Sequence, residues 1–189
     1  MIRFIQSPNR TVRPDRHVSL VVLHYTASLS FTGTVSWFLN PASEVSAHYL
    51  VGRDGEIAQF VDEADIAWHA GKAAEWPAGT GGVNSRSIGI ELVATATSGY
   101  TGPQVGALWT LLAGIVRRHQ IAPENVVGHK DVLPAQKIDP DGLGHQFPWD
   151  VARAVAQAAL TGTAVEVVGA TGAVTGTVIG TGTGDTHDA

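Results

Sequence analysis

His24, His129 and Asp139 offer two imidazoles and a carboxylate, with Lys137 two positions before the acid. That donor set suits a divalent metal held by three protein ligands, with a fourth position open to water. Sites of this kind serve hydrolysis, whereas structural sites close all four positions. Each histidine alone reads as a satisfied core residue, because a polar ring ending an apolar strand must be hydrogen-bonded or ligating. His24 ends the run Ser19-Leu20-Val21-Val22-Leu23, and His129 repeats the pattern after Val126-Val127-Gly128. Asp139 follows on the next loop, and the three together favour ligation. The spacing is suggestive only, since it lacks the compactness of a His-Glu-x-x-His helix. The chain has no cysteine, so nitrogen and oxygen must supply every ligand.

Glu91 lies in Ser87-Ile88-Gly89-Ile90-Glu91-Leu92-Val93. Strand alternation turns Ile88, Ile90 and Leu92 one way and Ser87, Gly89 and Glu91 the other. A partly desolvated carboxylate there has the raised proton affinity a general base for water requires. The alternative is a solvent-facing or salt-bridged glutamate. Lys137 offers a donor to a developing oxyanion, or is a solvated surface charge.

The elements that must position these groups alternate between strand and helix. The β-branched run 19–25 reads as a strand buried on both faces. Residues 32–39 read as a short helix stopped before Pro41. His48–Val51 and Ile57–Phe60 flank Asp54-Gly55, a pair that favours a hairpin. Trp68 to Asn84 reads as a long ordered loop, and Trp37, Trp68 and Trp76 as core or loop anchors. Val105, Leu108, Leu112 and Ile115 recur at helical spacing between Pro103 and His119, with arginines at the negative end of the dipole. A brief strand at 125–129 and a last helix from about Trp149 to Leu160 complete an α/β pattern.

At 189 residues the chain suits one well-buried domain, placed at 1–160. Its net charge of -5 lacks the basic stripe of a nucleic-acid binder, and that class is set aside. The opening Met1–Pro8 lacks the apolar run of a secretory signal, so a cytoplasmic product without an obligatory membrane partner is expected. Residues 161–189 form a Gly/Thr/Val-rich tail, read as a flexible or weakly β-structured appendage. Gly172, Gly176, Gly180 and Gly184 recur every fourth position there, the spacing of a small-residue helix-packing face on a poor helix former.

Several motifs stand in order along the chain: His24-Tyr25-Thr26, Val45-Ser46-Ala47-His48-Tyr49, Arg53-Asp54-Gly55, Ala67-Trp68-His69-Ala70-Gly71, Asn84 to Leu92, Val127-Gly128-His129 and Lys137-Ile138-Asp139-Pro140. Together they resemble the zinc-dependent N-acetylmuramoyl-L-alanine amidases, the group that holds bacterial muropeptide amidases, phage lysozyme-type amidases and peptidoglycan recognition proteins. The likeness implies a central mixed β-sheet flanked by helices, with one zinc ion per chain in a groove on one face. By position it implies His24, His129 and Asp139 as ligands, Glu91 as general base and Lys137 as oxyanion partner. His48, His69 and Asn84 would line the groove or support its walls. The missing cysteine and Ala47 place the chain with the Asp-ligand, Glu-base members. Pro140-Asp141-Gly142 departs from the commoner Pro-Gly, so a different turn after the ligand is expected. The implied substrate is peptidoglycan or a muropeptide, cut between the lactyl group of N-acetylmuramic acid and L-alanine. A monomeric phage-type endolysin is the main expectation. The alternatives are a cytoplasmic anhydro-muropeptide recycling amidase and a non-catalytic peptidoglycan-binding module.

Overall fold

The computed structural model describes residues 2–168 and 174–179. In chain order the elements are β1 (Arg3–Phe4), β2 (Arg10–Val12), β3 (Leu20–Tyr25), α1 (Phe31–Leu39), β4 (Tyr49–Val51), β5 (Ile57–Gln59), β6 (Asp65–Ala67) and β7 (Ser87–Leu92). They continue with α2 (Gly102–His119), β8 (Val126–Gly128), α3 (His129–Val132), α4 (Trp149–Thr161), β9 (Ala164–Val168) and β10 (Val174–Ile179). Six strands form one mixed sheet in the order β1-β5-β4-β7-β3-β8. Strands β4, β7, β3 and the edge strand β8 run parallel, and β5 returns antiparallel to β4. This is the α/β arrangement that the interleaved pattern predicts, and the mixed sheet with flanking helices that the family resemblance implies.

Alternation along β3 and β7 sorts the side chains between two layers. Val21 and Leu23 join Ile88, Ile90 and Leu92 in the larger core, beneath Leu108, Leu112 and Ile115 of α2 and Val155 of α4. Replacing one such buried leucine by alanine costs about 2–5 kcal/mol. On the opposite face the apolar surface divides. Leu50, Ala58 and Phe60 pack under Phe38 of α1, while Leu20, Val22 and Val127 pack under Ala70, Ala74 and Val83 of the long loop. His24 and Glu91 lie in register on this divided face, near the carboxyl ends of their strands, where open parallel sheets place ligands.

Local chemistry sets the boundaries. Ser30 caps α1 by accepting from the Gly33 N–H, and Thr101 caps α2 by accepting from Gln104. Gly55 turns the β4–β5 hairpin with φ +89°, and a Cβ there would lie 3.0 Å from the Pro103 carbonyl oxygen. Gln104 is fully buried and donates to the carbonyls of Val51 and Val93, fastening α2 to the ends of β4 and β7. No described helix is long and apolar enough to cross a membrane.

The short strands β1, β2 and β6 and the single turn α3 add to the elements expected from sequence. Beyond α4, β9 and β10 pair antiparallel and lie against α2 and α4. Gly176 of the four-residue glycine repeat falls in β10. Gly172, Gly180 and Gly184, with the rest of the tail, lie outside the described residues.

Candidate metal centre

Three elements deliver the donors. His24 comes from the penultimate position of β3, and its partner in register on β7 is Glu91. In β8, Gly128 pairs with Leu23, and the chain then turns into α3 with His129 as its first residue. Asp139 returns on the following loop, whose main chain is tied to α3 where the Lys130 N–H donates to the Asp139 carbonyl at 2.9 Å. Gly128 has no room for a side chain, since a Cβ would meet Pro140 Cδ at 2.6 Å.

The result is a tight group of acceptors. Asp139 Oδ2 lies 3.1 Å from His129 Nδ1 and 3.4 Å from His24 Nδ1. One ligand atom from each of the three residues falls within 4.8 Å of the others, and all three residues are buried. The two imidazoles meet edge to face at 4.4 Å between centroids. Burial lowers the His24 pKa to about 4 despite its contact with Asp139, so its ring is neutral at pH 7. Burial alone would raise the Asp139 pKa, but hydrogen bonding and charge from His129 and His24 outweigh it and hold the acid below the usual carboxylate range. Two imidazole nitrogens and a carboxylate aimed at one point match the donor set of an open zinc site.

Glu91 stands beside this group. Its Oε2 is sealed from solvent and has no hydrogen-bond partner. Burial pushes its pKa up to about 8; the Asp139 charge adds to the rise and Lys137 opposes it. A divalent cation held by the three ligands would also oppose it. Lys137 is exposed, and it acts on Glu91 and His24 through charge. A groove of about 460 Å³ opens over Glu91, lined also by Tyr25, Thr34, Trp37 and Val45. Trp37 is 53 % exposed on that groove, which corrects its expected place as a core or loop anchor. A second groove of about 480 Å³, also bordered by Val45, is lined by Trp68, His69, Lys72 and Asn84.

The remaining predicted site residues support this centre from behind. His48 is fully buried; its Nδ1 accepts from the Gly89 N–H and its Nε2 lies 3.2 Å from the Asp65 carbonyl. With both nitrogens engaged by main chain, its ring supports the wall, the second of the two places expected for it. His69 sets Nδ1 2.9 Å from His24 Nε2 and Nε2 3.0 Å from Ser87 Oγ. Asn84 Oδ1 accepts from the Ala70 N–H, and the Ala70 carbonyl faces His129 Nε2 at 3.4 Å.

Sequence reasoning gave no role to Ser87 or Ala70, and it marked Asp141 only as the departure in the turn after the ligand. Ser87 shares the strand parity of Glu91, which was a usable signal; a main-chain carbonyl such as that of Ala70 leaves none. Asp141 fills the unusual turn after the ligand. It accepts from the Phe147 N–H at 2.8 Å and Trp149 Nε1 at 3.3 Å, and it pairs with Lys130.

A buried His-His-Asp group at the strand ends of a mixed sheet, beside a half-buried carboxylate, defines a candidate metallohydrolase of α/β architecture. Residues 14–142 match the model of the N-acetylmuramoyl-L-alanine amidase family, and the chain belongs to that family. It is 35% identical over 171 residues to the 1,6-anhydro-N-acetylmuramyl-L-alanine amidase AmpD of Citrobacter freundii, covering 81% of this chain and 89% of that protein. Among solved structures, Escherichia coli AmiD in complex with anhydro-N-acetylmuramic acid-L-Ala-D-gamma-Glu-L-Lys superposes with a TM-score of 0.65 at 32% identity, over 80% of this chain and 60% of that one. A mutant endolysin from Bacillus subtilis gives a TM-score of 0.58 at 25% identity, over 82% of this chain and 99% of that one. The chain is thus an amidase in family and fold.

Proposed function

We propose that this amidase is zinc-dependent and cleaves the amide between the lactyl group and L-alanine in soluble 1,6-anhydro-muropeptides. The observation that carries the reading is the convergence of His24 Nδ1, His129 Nδ1 and Asp139 Oδ2 beside the partnerless Oε2 of Glu91. His24, His129 and Asp139 would hold the zinc, which when bound supplies a Lewis acid able to bring water's pKa from about 15.7 towards about 7.

The chain's own groups supply the rest. Glu91, at the floor of the groove, takes the proton from the attacking water and returns it to the leaving amine of L-alanine. Lys137 donates to the carbonyl oxygen as it gains negative charge, a contribution of roughly 3 kcal/mol where a single donor is well placed. The buried site limits access by bulk water, which strengthens both effects.

The choice of substrate rests on the relatives. AmpD, named for the 1,6-anhydro compound, matches over most of both chains, and AmiD was solved with an anhydro-muropeptide. The endolysin is the more distant likeness. The expected phage-type endolysin therefore gives way to the muropeptide amidase reading.

Removal of the metal by chelator should abolish hydrolysis, and added zinc should restore it. Glu91→Ala should retain zinc and lose at least about a hundredfold in kcat, the contribution typical of a positioned general base. A purified Glu91→Ala protein that cleaves at near wild-type rate removes Glu91 from this role.

A further inference from the structure

We propose that His69 is a positioning residue that fixes the tautomer of His24, so that Nδ1 of His24 is presented to the metal as a free lone pair. The inference rests on His24 and His129 being metal ligands, and it concerns the groups behind them. The direction of the hydrogen bonds follows from their far end. The Val83 carbonyl can only accept, and Ser87 Oγ lies 2.7 Å from it and donates its single proton there. Ser87 Oγ is then an acceptor towards His69 Nε2 at 3.0 Å, so His69 carries its proton on Nε2. His69 Nδ1 is left as an acceptor and takes the Nε2–H of His24 at 2.9 Å. With that proton on Nε2, the His24 Nδ1 lone pair faces Asp139, 3.4 Å from its Oδ2. The reverse direction would put a proton on His24 Nδ1 and close that nitrogen to ligation.

A second observation shows that the ring of His69 is seated rather than incidentally near. It packs against Gly89 of β7, where a Cβ would fall 2.4 Å from its Cγ. The neighbouring residue serves the other ligand. The Ala70 carbonyl faces His129 Nε2 at 3.4 Å, and Asn84 holds Ala70 in place through its N–H. The dipeptide His69-Ala70 thus stands behind both histidines, one through a ring and one through a carbonyl. Such partners set ligand orientation and basicity, and losing one typically costs about 10–100-fold in metal affinity.

The test compares His69→Gln with His69→Leu. Glutamine offers an amide oxygen to His24 and an N–H to Ser87, whereas leucine fills similar space without either. Zinc affinity is measured by competition with a chromophoric chelator, and folding is checked by circular dichroism and urea unfolding. His69→Leu should bind zinc about 10–100-fold more weakly than wild type, with His69→Gln recovering most of the loss. Equal affinity for wild type and His69→Leu overturns the proposal, as does a glutamine variant no better than leucine. Should His69→Leu fail to fold, Ser87→Ala replaces it and should weaken zinc binding in the same direction; unchanged affinity there also overturns it. Long-range nitrogen–proton NMR spectra of metal-free wild type supply a readout without zinc. His24 should be protonated at Nε2, and protonation at Nδ1 overturns the relay. A wild-type protein with the Nε2–H tautomer that holds no zinc would instead sink the metal reading and leave the relay standing.

Discussion

Gly89 shows how one atom governs the centre. It pairs with Val22 and sits between Ser87 and Glu91 on the site face of β7, with the His69 ring closed over its Cα. An added methyl group at 2.4 to 2.8 Å from three ring atoms forces either the ring or the strand to move. Overpacking of this kind costs roughly 1–3 kcal/mol, and a displaced ring loses its bond to His24. Gly89→Ala should therefore lower the urea midpoint of the metal-free protein and weaken its hold on zinc. A variant with an unchanged midpoint would mean that the contact is soft. The strand alternation made Glu91 and the space beside it legible in the sequence. What filled that space was not legible, because His69 arrives from a Gly- and Ala-rich loop with no periodicity. Arg13 was hidden for a similar reason. Its charge suggests a surface residue, yet it is 2 % exposed and donates to the carbonyls of Asp65, Ser85 and Ser87.

Between elements, one loop carboxylate joins two of them. Glu63, on the connection from β5 to β6, accepts from Arg118 Nη2 at 2.6 Å, His119 Nε2 at 2.7 Å and the Tyr49 hydroxyl at 2.8 Å. It thereby fastens the carboxyl end of α2 to β4. Burial alone would raise the Glu63 pKa, but these donors outweigh it and hold it at about 2, against 4.5 for a free glutamate. A carboxylate depressed in the folded state stabilises the protein fully above its unfolded value. That stability is lost as the pH falls through the folded value. Glu63→Gln should accordingly cost about 1–3 kcal/mol at pH 6, and the gap from wild type should close between about pH 4.5 and pH 2. Urea unfolding of both proteins across that range checks it; a gap independent of pH would show that the charge contributes nothing. The long strands and helices were legible because periodicity survives over six or more residues. The strands β1, β2 and β6 were not: two or three residues hold no period, and unlike the equally short β4, β5 and β8 they have neither an Asp-Gly turn beside them nor a pair of valines.

On the scale of the molecule, the question is which polymer or fragment reaches the centre. The two grooves share Val45 as a bordering residue, one over Glu91 and the other beside His69. The chain carries 17 acidic against 12 basic residues, so its field gives no attraction to an anionic wall polymer. A soluble muropeptide needs no such attraction, since it diffuses to the site and is bound by the groove alone. Discrimination between substrates is set by differential binding in the transition state, where about 1.4 kcal/mol is tenfold in kcat/KM. The expected outcome is that kcat/KM on a 1,6-anhydro-muropeptide exceeds that on intact sacculi, per cleavable bond, by at least about tenfold. The same protein preparation should be used for both, with release of the new L-alanine amino terminus as the common readout. Equal or greater cleavage of sacculi would return the chain to the wall-degrading reading while leaving its metal chemistry intact, because the two substrates share the bond and differ only in what surrounds it.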